Sequence, residues 1–202
     1  MNLRTELPTA ENSSNFNAVA DAVTKAGTTL ENLKAAVAGE TGASAKYSAF
    51  AKAAKEQGFD QLARLWEATS AAEQIHINLE ASLVEAEDPS YTPPTAEAPA
   101  PEAIDLNLIA SANGEIFETS DMYPTFIKKA QEEGHAKAVK VFTRAKLAEA
   151  VNAEKYLEAY NNIDAADDDA YYLCPGCGYI HKGDDFEKCP ICGVPKAKFQ
   201  RF

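Results

Sequence analysis

The chain has 202 residues, of which 19 are basic and 31 acidic, and its formal net charge is -12 at pH 7. Because the sequence has no cluster of lysine and arginine, nucleic acid and anionic membranes are poor candidate partners. Residues 1–16 lack the apolar core of a signal peptide, and no apolar run approaches the roughly 20 residues of a membrane span. We therefore expect a cytoplasmic protein.

The chain opens with a polar stretch, residues 1–28, that shows no regular pattern and is expected to form an N-terminal extension. Apolar side chains then recur at helical spacing from residue 29 to about residue 87. Gly58 interrupts this pattern, and glycine commonly ends a helix. The first part of the chain therefore predicts two helices joined by a tight turn.

Residues 88–103 contain five prolines, which exclude a helix interior and predict an extended connection. Helical spacing returns from about residue 104 to residue 163, with a second interruption at Gly134. An acidic linker follows at residues 164–170, and the chain ends with a cysteine-containing segment at residues 171–202. We expect this last segment to form a small domain.

The two helical pairs are repeats of each other. NLKAAVAGE at residues 32–40 matches NLIASANGE at residues 107–115, with an offset of 75. Later positions match at an offset of 76: Tyr47 with Tyr123, Trp66 with Phe142, and Glu73 with Glu149. One residue has therefore been added between Glu115 and Tyr123. A helix often absorbs such an insertion as a π-bulge, and these bulges are common at functional sites.

Two helix pairs joined by a long connection predict a four-helix bundle with a crossover, over residues 29–163. The sixteen residues of the connection span up to about 50 Å at roughly 3.3 Å each, which is enough to run the length of a bundle. A plain helical bundle without a metal site is the alternative that the repeat alone leaves open.

Helical spacing directs a set of acidic and imidazole side chains toward the inside of this bundle: Glu40, Glu73, His76, Glu115, Glu118 and Glu149. A lone glutamate would more often be exposed or neutral, and a lone helical histidine is more often structural than a ligand. Five carboxylates converge in a core only when cations lie among them, and no lysine or arginine lies on the same helix faces.

One glutamate from each of two helices, with Glu-x-x-His from each of the other two, is the pattern of ferritin-like di-iron carboxylate proteins. Glu73 and His76 follow it, whereas Glu149 is followed by Asn152 where a second histidine is expected. Hard oxygen ligands with few imidazoles suit iron or manganese better than copper. The sequence therefore predicts an all-α ferritin-like bundle with a dimetal site.

The cysteine segment carries two Cys-x2-Cys pairs separated by eleven residues: Cys174, Cys177, Cys189 and Cys192. Four thiolates at this spacing form a tetrahedral site for zinc or iron, and their clustering favours a metal over disulfides. Gly178 and Gly193 each follow a second cysteine, where positive φ angles are expected. About 32 residues are too few to fold reliably without the metal, even with a small aromatic core. That core is expected to contain Tyr172, Tyr179, Phe186, Phe199 and Phe202.

A structural zinc ribbon is the alternative that the spacing leaves open. The motif CPGCGYIH followed by CPICG resembles rubredoxin, in which four cysteines hold one electron-carrying iron. A ferritin-like dimetal bundle followed by such a domain resembles the rubrerythrin family, over residues 29–202. The resemblance implies a non-haem di-iron peroxidase that reduces hydrogen peroxide to water with electrons delivered through the four-cysteine iron.

The resemblance also implies partners. The expected activity is of the NADH peroxidase type and acts through a separate reductase, with a reductase or a rubredoxin as electron donor. Similar proteins form a head-to-tail homodimer, which places the four-cysteine site of one chain beside the dimetal site of its partner.

Residue roles follow from the same resemblance. Glu40 and Glu115 match terminal ligands, and Glu73 and Glu149 match bridging ligands. His76 and Glu118 match a pair of ligands that exchange at the first iron when the redox state changes. Two tyrosines match residues that flank the centre, Tyr47 and Tyr123. The single iron matches the site of Cys174, Cys177, Cys189 and Cys192.

Two other functions are compatible with these residues. One is a ferritin-like iron-binding protein or ferroxidase with a structural zinc ribbon, although iron storage needs no electron-transfer domain. The other is a variant whose second metal site is impaired, since an asparagine amide is a weaker ligand for ferrous iron than the imidazole that Asn152 replaces.

Overall fold

The computed structural model describes residues 22–163 and 167–202. The greater part of the expected N-terminal extension, residues 1–21, and residues 164–166 of the expected acidic linker lie outside the described residues. Among the helices described, none is both long enough and apolar enough to cross a membrane.

The predicted ferritin-like bundle is confirmed as four rods of helix followed by a small sheet domain. The helical elements are α1 (Thr29–Glu56), α2 (Asp60–Glu87), α3 (Ile104–Phe117), the π-helical turn (Glu118–Met122), α4 (Tyr123–Glu132) and α5 (Ala136–Asn161). The third rod is continuous, because the π-helical turn joins α3 directly to α4. Residues 88–103 form the crossover from α2 to α3 without helix or strand.

Local chemistry explains where the rods begin and turn. At the start of α1 the Thr28 hydroxyl accepts from the Glu31 N–H, and the Glu31 carboxylate accepts from the Thr28 N–H at 2.8 Å. This capping box satisfies two N–H groups that the first turn leaves without helical partners. The predicted turns are confirmed at Gly58 and Gly134, whose φ angles are 82° and 71°.

The predicted π-bulge is also confirmed. The π-helical turn lies between Glu115 and Tyr123, where the one-residue insertion falls. An inserted residue in a regular α-helix would rotate all later side chains by about 100°. The wider π turn absorbs that rotation, so Glu115 and Tyr123 both remain fully buried on the inner face.

Aromatic side chains pack on each side of the predicted site. On one side Trp66 packs against Phe50 and Tyr156, and its indole N–H donates to the Ser111 hydroxyl at 2.9 Å. On the other side Phe142 packs against Tyr123 and Phe126. The polar centre therefore lies between two apolar clusters that exclude water from it.

The C-terminal domain is a three-stranded antiparallel sheet of β1 (Tyr171–Leu173), β2 (Ile180–Lys182) and β3 (Gln200–Arg201). The strand order across the sheet is β2-β1-β3. A short 3-10 helix, Lys196–Lys198, precedes the last strand.

The sheet packs directly on the bundle. Successive residues of a strand face opposite sides, so Tyr171 and Leu173 enter the bundle core while Tyr172 packs against Phe186. Phe202, expected in the aromatic core of the small domain, packs instead at the edge of the bundle core. The two parts of the chain thus share apolar contacts, and this shared core holds the cysteines close to the bundle.

Candidate metal centres

All six predicted dimetal ligands converge inside the bundle. Four glutamates are fully buried, His76 is 1% exposed and Glu118 is 8% exposed. The six residues come from five stretches of helix: α1 carries Glu40, α2 carries Glu73 and His76, α3 carries Glu115, the π turn carries Glu118 and α5 carries Glu149.

The ligand atoms fall into two groups, and the atoms within each lie within 4.8 Å of one another. One group is Glu40, Glu73, His76 and Glu149, and the other is Glu115, Glu118 and Glu149. Glu149 belongs to both, so its carboxylate is placed to contact two cations. Glu118, which the resemblance assigns to the same iron as His76, lies with Glu115 in this structure.

His76 connects this centre to the C-terminal domain. Its Nδ1 lies 2.6 Å from Glu149 Oε1 and 3.2 Å from Glu73 Oε2. Its Nε2 lies 3.1 Å from the carbonyl oxygen of Cys177, which only accepts hydrogen bonds. Nε2 therefore carries a hydrogen, and Nδ1 faces the carboxylates, where it would bind a metal. Burial alone would lower the pKa of His76, but without a cation the close carboxylates of Glu149 and Glu73 raise it well above its ordinary value.

Burial sets the charge state of these groups. Burial and the neighbouring carboxylates raise the pKa of Glu40 and Glu115 well above the ordinary value, and burial raises the pKa of Glu73 to about 7. Burial alone would also raise the pKa of Glu149, but His76 together with hydrogen bonds from Glu115 and Asn152 holds that pKa below its ordinary value. Without cations the site therefore favours protonated carboxyls at Glu40, Glu73 and Glu115 and a carboxylate at Glu149.

Unpaired oxygen atoms show what the cavity accommodates. Among the six predicted ligands, buried carboxylate oxygens without a hydrogen-bond partner in the described part of the chain are Glu40 Oε2, Glu73 Oε1, Glu115 Oε2, Glu118 Oε2 and Glu149 Oε1, the last of which faces His76. Unpaired buried oxygens are costly, and a cation satisfies several at once. Carboxylates with one imidazole form a donor set that fits iron, so the side chains fit a di-iron centre.

The two flanking tyrosines make equivalent contacts. The Tyr47 hydroxyl donates to Glu115, and the Tyr123 hydroxyl donates to Glu40. Each tyrosine thus holds a glutamate that belongs to the other repeat.

Sequence reasoning did not include Glu80 in the site. It is fully buried, and its Oε1 lies 3.0 Å from the Tyr123 hydroxyl. Its position four residues after His76 places it on the same stripe of α2, which is the signal that marks it. The Glu-x-x-His pattern ends one turn earlier and leaves it out.

Asn152 lies at the position of the expected second histidine and is fully buried. Its Nδ2 donates to Glu149 Oε2 at 2.8 Å. Its Oδ1 has no hydrogen-bond partner among the described residues. The amide therefore contacts a proposed bridging carboxylate, and its acceptor oxygen remains unpaired.

The four cysteines form a second compact site. All four are free thiols, with Sγ atoms 3.4 Å apart for Cys174 and Cys192 and 3.5 Å apart for Cys177 and Cys189. A disulfide requires about 2.05 Å, whereas tetrahedral metal–sulfur bonds of about 2.3 Å separate sulfurs by roughly 3.8 Å. The geometry fits one tetrahedral metal, and the rubredoxin-like sequence fits a mononuclear iron.

Gly178 brings the two sites together. As predicted, Gly178 and Gly193 have positive φ angles, 77° and 78°. A Cβ atom on Gly178 would lie 2.3 Å from Nε2 of His76, so this approach requires glycine. In the structure the four-cysteine site therefore lies beside the dimetal site of its own chain, whereas the resemblance implies the partner's.

Comparison with known proteins agrees with this architecture. The family model described as rubrerythrin matches residues 31–160, and the model of the rubrerythrin rubredoxin-like domain matches residues 172–200. The chain is 66% identical to nigerythrin of Nitratidesulfovibrio vulgaris, with all of both chains covered. It is 34% identical to rubrerythrin of the same organism, over 87% of this chain and 95% of the relative.

Solved structures show the same likeness. The fully reduced, all-ferrous state of nigerythrin matches with a TM-score of 0.90 and 66% identity, and all of both chains is covered. Its mixed-valence state matches over the same extent with a TM-score of 0.89.

Proposed function

The chain belongs to the rubrerythrin family, whose members are di-iron oxidoreductases with peroxidase activity, and on that premise we propose that it reduces hydrogen peroxide to water. We further propose that the electrons arrive through the four-cysteine iron. The observation that carries this proposal is the 3.1 Å contact between His76 Nε2 and the Cys177 carbonyl oxygen. One imidazole thereby contacts the ligand shells of both sites.

The di-iron centre, when bound, supplies the two electrons that cleave the O–O bond of peroxide. The protein's part is to hold the ligands. Glu73 and Glu149 are proposed to bridge the metals, with Glu40 and Glu115 as terminal ligands. His76 and Glu118 are proposed to exchange with redox state, because a neutral imidazole suits the lower charge and a carboxylate the higher.

The tyrosine hydroxyls complete the proposed site. Tyr47 and Tyr123 each donate to a terminal glutamate and so restrict its rotation. Both are almost fully buried, and the same packing keeps water away from the carboxylates. Two protons are consumed when peroxide becomes two waters, and these hydroxyls are the donors nearest to Glu40 and Glu115.

Metal analysis with an absorption spectrum separates this function from its alternative. We expect iron in the four-cysteine site and the red colour of oxidised iron–thiolate charge transfer after expression in iron-rich medium. A colourless protein that holds only zinc in that site would support the ferroxidase with a structural ribbon instead.

The contact at His76 is tested by two matched glycine variants. Gly178→Ala and Gly193→Ala both place a side chain at a positive φ angle, so both carry the same backbone strain. The new Cβ at residue 178 would collide with His76, whereas at residue 193 it meets nothing within 4 Å among the described residues. The pair therefore separates contact with His76 from strain.

We expect Gly178→Ala to slow electron transfer from the reduced four-cysteine iron to the di-iron centre by about tenfold or more, and Gly193→Ala to have little effect. Rapid-mixing absorption spectroscopy follows both centres. Reoxidation of chemically reduced protein by peroxide should be unchanged in Gly193→Ala, and in Gly178→Ala it is measured separately, because the displaced His76 is itself a proposed iron ligand. Equal slowing in the two variants would show that backbone strain causes the effect and that the contact with His76 has no role in electron transfer.

The donor and the assembly are further proposals from the family resemblance. We propose a reductase or a rubredoxin as the electron donor, NADH as the ultimate source, and a head-to-tail homodimer. Mixing Glu73→Ala chains with Cys189→Ala chains tests how the sites pair. Restored NADH-dependent turnover in the mixture would show electron transfer between chains, whereas transfer within one chain leaves the mixture inactive.

A further inference from the structure

Tyr123 and two glutamates form a row of buried oxygen atoms whose hydrogens can be counted. The Tyr123 hydroxyl contacts Oε1 of Glu40 and lies 3.0 Å from Oε1 of Glu80. Both contacts have hydrogen-bond geometry, but the hydroxyl has one hydrogen to donate. The second hydrogen must therefore come from one of the two carboxyl groups.

The environment of each glutamate identifies which one carries that hydrogen. Glu40 belongs to the ligand group of His76, and as a proposed metal ligand it is a carboxylate. Glu80 belongs to neither ligand group. It is fully buried, and its Oε2 finds no hydrogen-bond partner in the described ranges. An unpaired oxygen costs much less on a neutral acid than on a carboxylate.

Burial favours the same assignment, since it raises the pKa of Glu80 to about 8. The neighbouring His76 and Tyr123 side chains act in the opposite direction, but burial outweighs them. The hydrogen-bond geometry and the burial of Glu80 thus both indicate that its carboxyl group is neutral.

We propose that Glu80 is a positioning residue that, as a neutral carboxylic acid, donates to the Tyr123 oxygen and so aims the Tyr123 hydroxyl hydrogen at Glu40. The proposal rests on the proposed function, because it takes Glu40 as a metal ligand. No bond breaks and no proton is consumed at Glu80. Hydrogen bonds in a row polarise one another, so the bond to Glu40 becomes stronger.

The other repeat lacks this arrangement. At the offset of 76, Glu80 corresponds to Tyr156, and Tyr123 corresponds to Tyr47. The Tyr156 ring packs on Tyr47 with centroids 5.6 Å apart, and its hydroxyl bonds Thr69. Tyr47 therefore has an aromatic ring where Tyr123 has a carboxyl group, which makes Tyr156→Phe a matched control.

Infrared spectroscopy of the iron-loaded full-length protein tests the protonation. A neutral carboxylic acid has a C=O stretch at higher frequency than a carboxylate, and the band shifts in D2O. We expect this band in wild type, its loss in Glu80→Gln, and its shift in Tyr123→Phe, where the acceptor is removed. The control Tyr156→Phe should keep it. A band that persists in Glu80→Gln would place the proton elsewhere and overturn the proposal.

Kinetics test the positioning role. The amide of Glu80→Gln still donates an N–H to Tyr123, so peroxide reoxidation of the reduced protein should stay within about twofold of wild type. Glu80→Leu donates nothing and should be slower by about tenfold, as for the loss of one oriented hydrogen bond. If the glutamine variant is as slow as the leucine variant, or if both variants match wild type, the proposed positioning role of Glu80 is wrong.

The two proposals fail in different ways. A wild-type protein that is not reoxidised by peroxide contradicts the proposed function, while the infrared band still reports the protonation of Glu80. Should Glu80→Leu not fold, the spectrum and rate of Glu80→Gln still decide the question.

Discussion

The two helical repeats build equivalent backbones around one site and supply it with different side chains. Matched pairs, Glu40 with Glu115, Glu73 with Glu149 and Tyr47 with Tyr123, contribute the carboxylates and the hydroxyls that hold them. Three pairs differ: Ala43 with Glu118 at the offset of 75, and His76 with Asn152 and Glu80 with Tyr156 at the offset of 76. Repetition thus accounts for the shared cavity, and divergence for its asymmetry.

The asymmetry is electrostatic as well as chemical. Glu73 and Glu149 are equivalent by repeat, yet burial raises the pKa of Glu73 to about 7, while the pKa of Glu149 is held low by His76 despite its burial. The distances explain this, since Nδ1 of His76 is 2.6 Å from Glu149 and 3.2 Å from Glu73. The closer imidazole, with hydrogen bonds from Glu115 and Asn152 to Glu149, makes two equivalent carboxyls behave differently.

The largest expected effect tests whether the repeats still share one function. Glu73→Ala and Glu149→Ala should each abolish rapid reoxidation by peroxide, a loss of about 1,000-fold or more, or about 4 kcal/mol in the barrier. Each removes a carboxylate proposed to bridge both metals. Stopped-flow absorption measures the rate, and metal analysis should still find the four-cysteine iron. The control is Glu154→Ala, which changes an exposed glutamate on the same helix as Glu149. Unchanged turnover in either bridging variant would rule out the assigned site.

Removal of the metal should make stability depend on pH through the buried glutamates of both repeats. The folded pKa values of Glu73 and Glu80, about 7 and about 8, lie above the ordinary 4.5. Their stabilising effect is therefore complete below about pH 4.5 and is lost as the pH rises through 7 to 8. Glu149, with a lowered pKa, acts in the opposite direction and only at more acidic pH.

Urea unfolding of the metal-free protein, followed by helix circular dichroism, should thus show a midpoint that falls from pH 5 to pH 8. Glu80→Gln should flatten part of that slope, because its side chain does not titrate. Iron-loaded protein should show little change in this range. A midpoint that stays constant over the same range would mean that the buried carboxyls are already ionised in the folded protein.

A smaller effect is expected where the repeats differ at His76 and Asn152. Asn152→His should raise both the iron content and the peroxidase rate, the rate by about tenfold, because imidazole binds ferrous iron better than an amide oxygen. His76→Asn makes the reverse change and should lower both. Metal analysis and stopped-flow kinetics measure the two quantities on the same sample. If Asn152→His changes neither and wild type already holds nearly three irons per chain, Asn152 is not a defect.

The smallest effect concerns packing beside the site. Trp66→Phe gives the first repeat the residue that the second has at Phe142, and it removes the hydrogen bond to Ser111. We expect a loss of about 2 kcal/mol in the free energy of unfolding, from the smaller ring and the lost hydrogen bond to the Ser111 hydroxyl. Iron content and turnover should not change. The measurement is urea unfolding of the iron-loaded protein, and altered iron binding would contradict the separation of packing from ligation.

Several features were predictable because they depend on local spacing. The turns at Gly58 and Gly134, the π turn after Glu115 and the positive φ angles of Gly178 and Gly193 all follow from residue type and periodicity. The convergence of the six ligands was also predictable, since helical repeats of one length place equivalent residues at one level of a bundle. Glu80 was missed because a motif of two residues ends before the next helical turn.

Residue spacing was enough to predict the four helical rods, the two sets of candidate ligands and the missing histidine at Asn152. Each is a matter of covalent spacing along one segment. Tertiary structure alone decided that Glu118 lies with Glu115, that Phe202 packs against the bundle, and that Gly178 places the Cys177 carbonyl on His76. These contacts join residues far apart in the chain, and they depend on how whole elements pack, which no local spacing encodes.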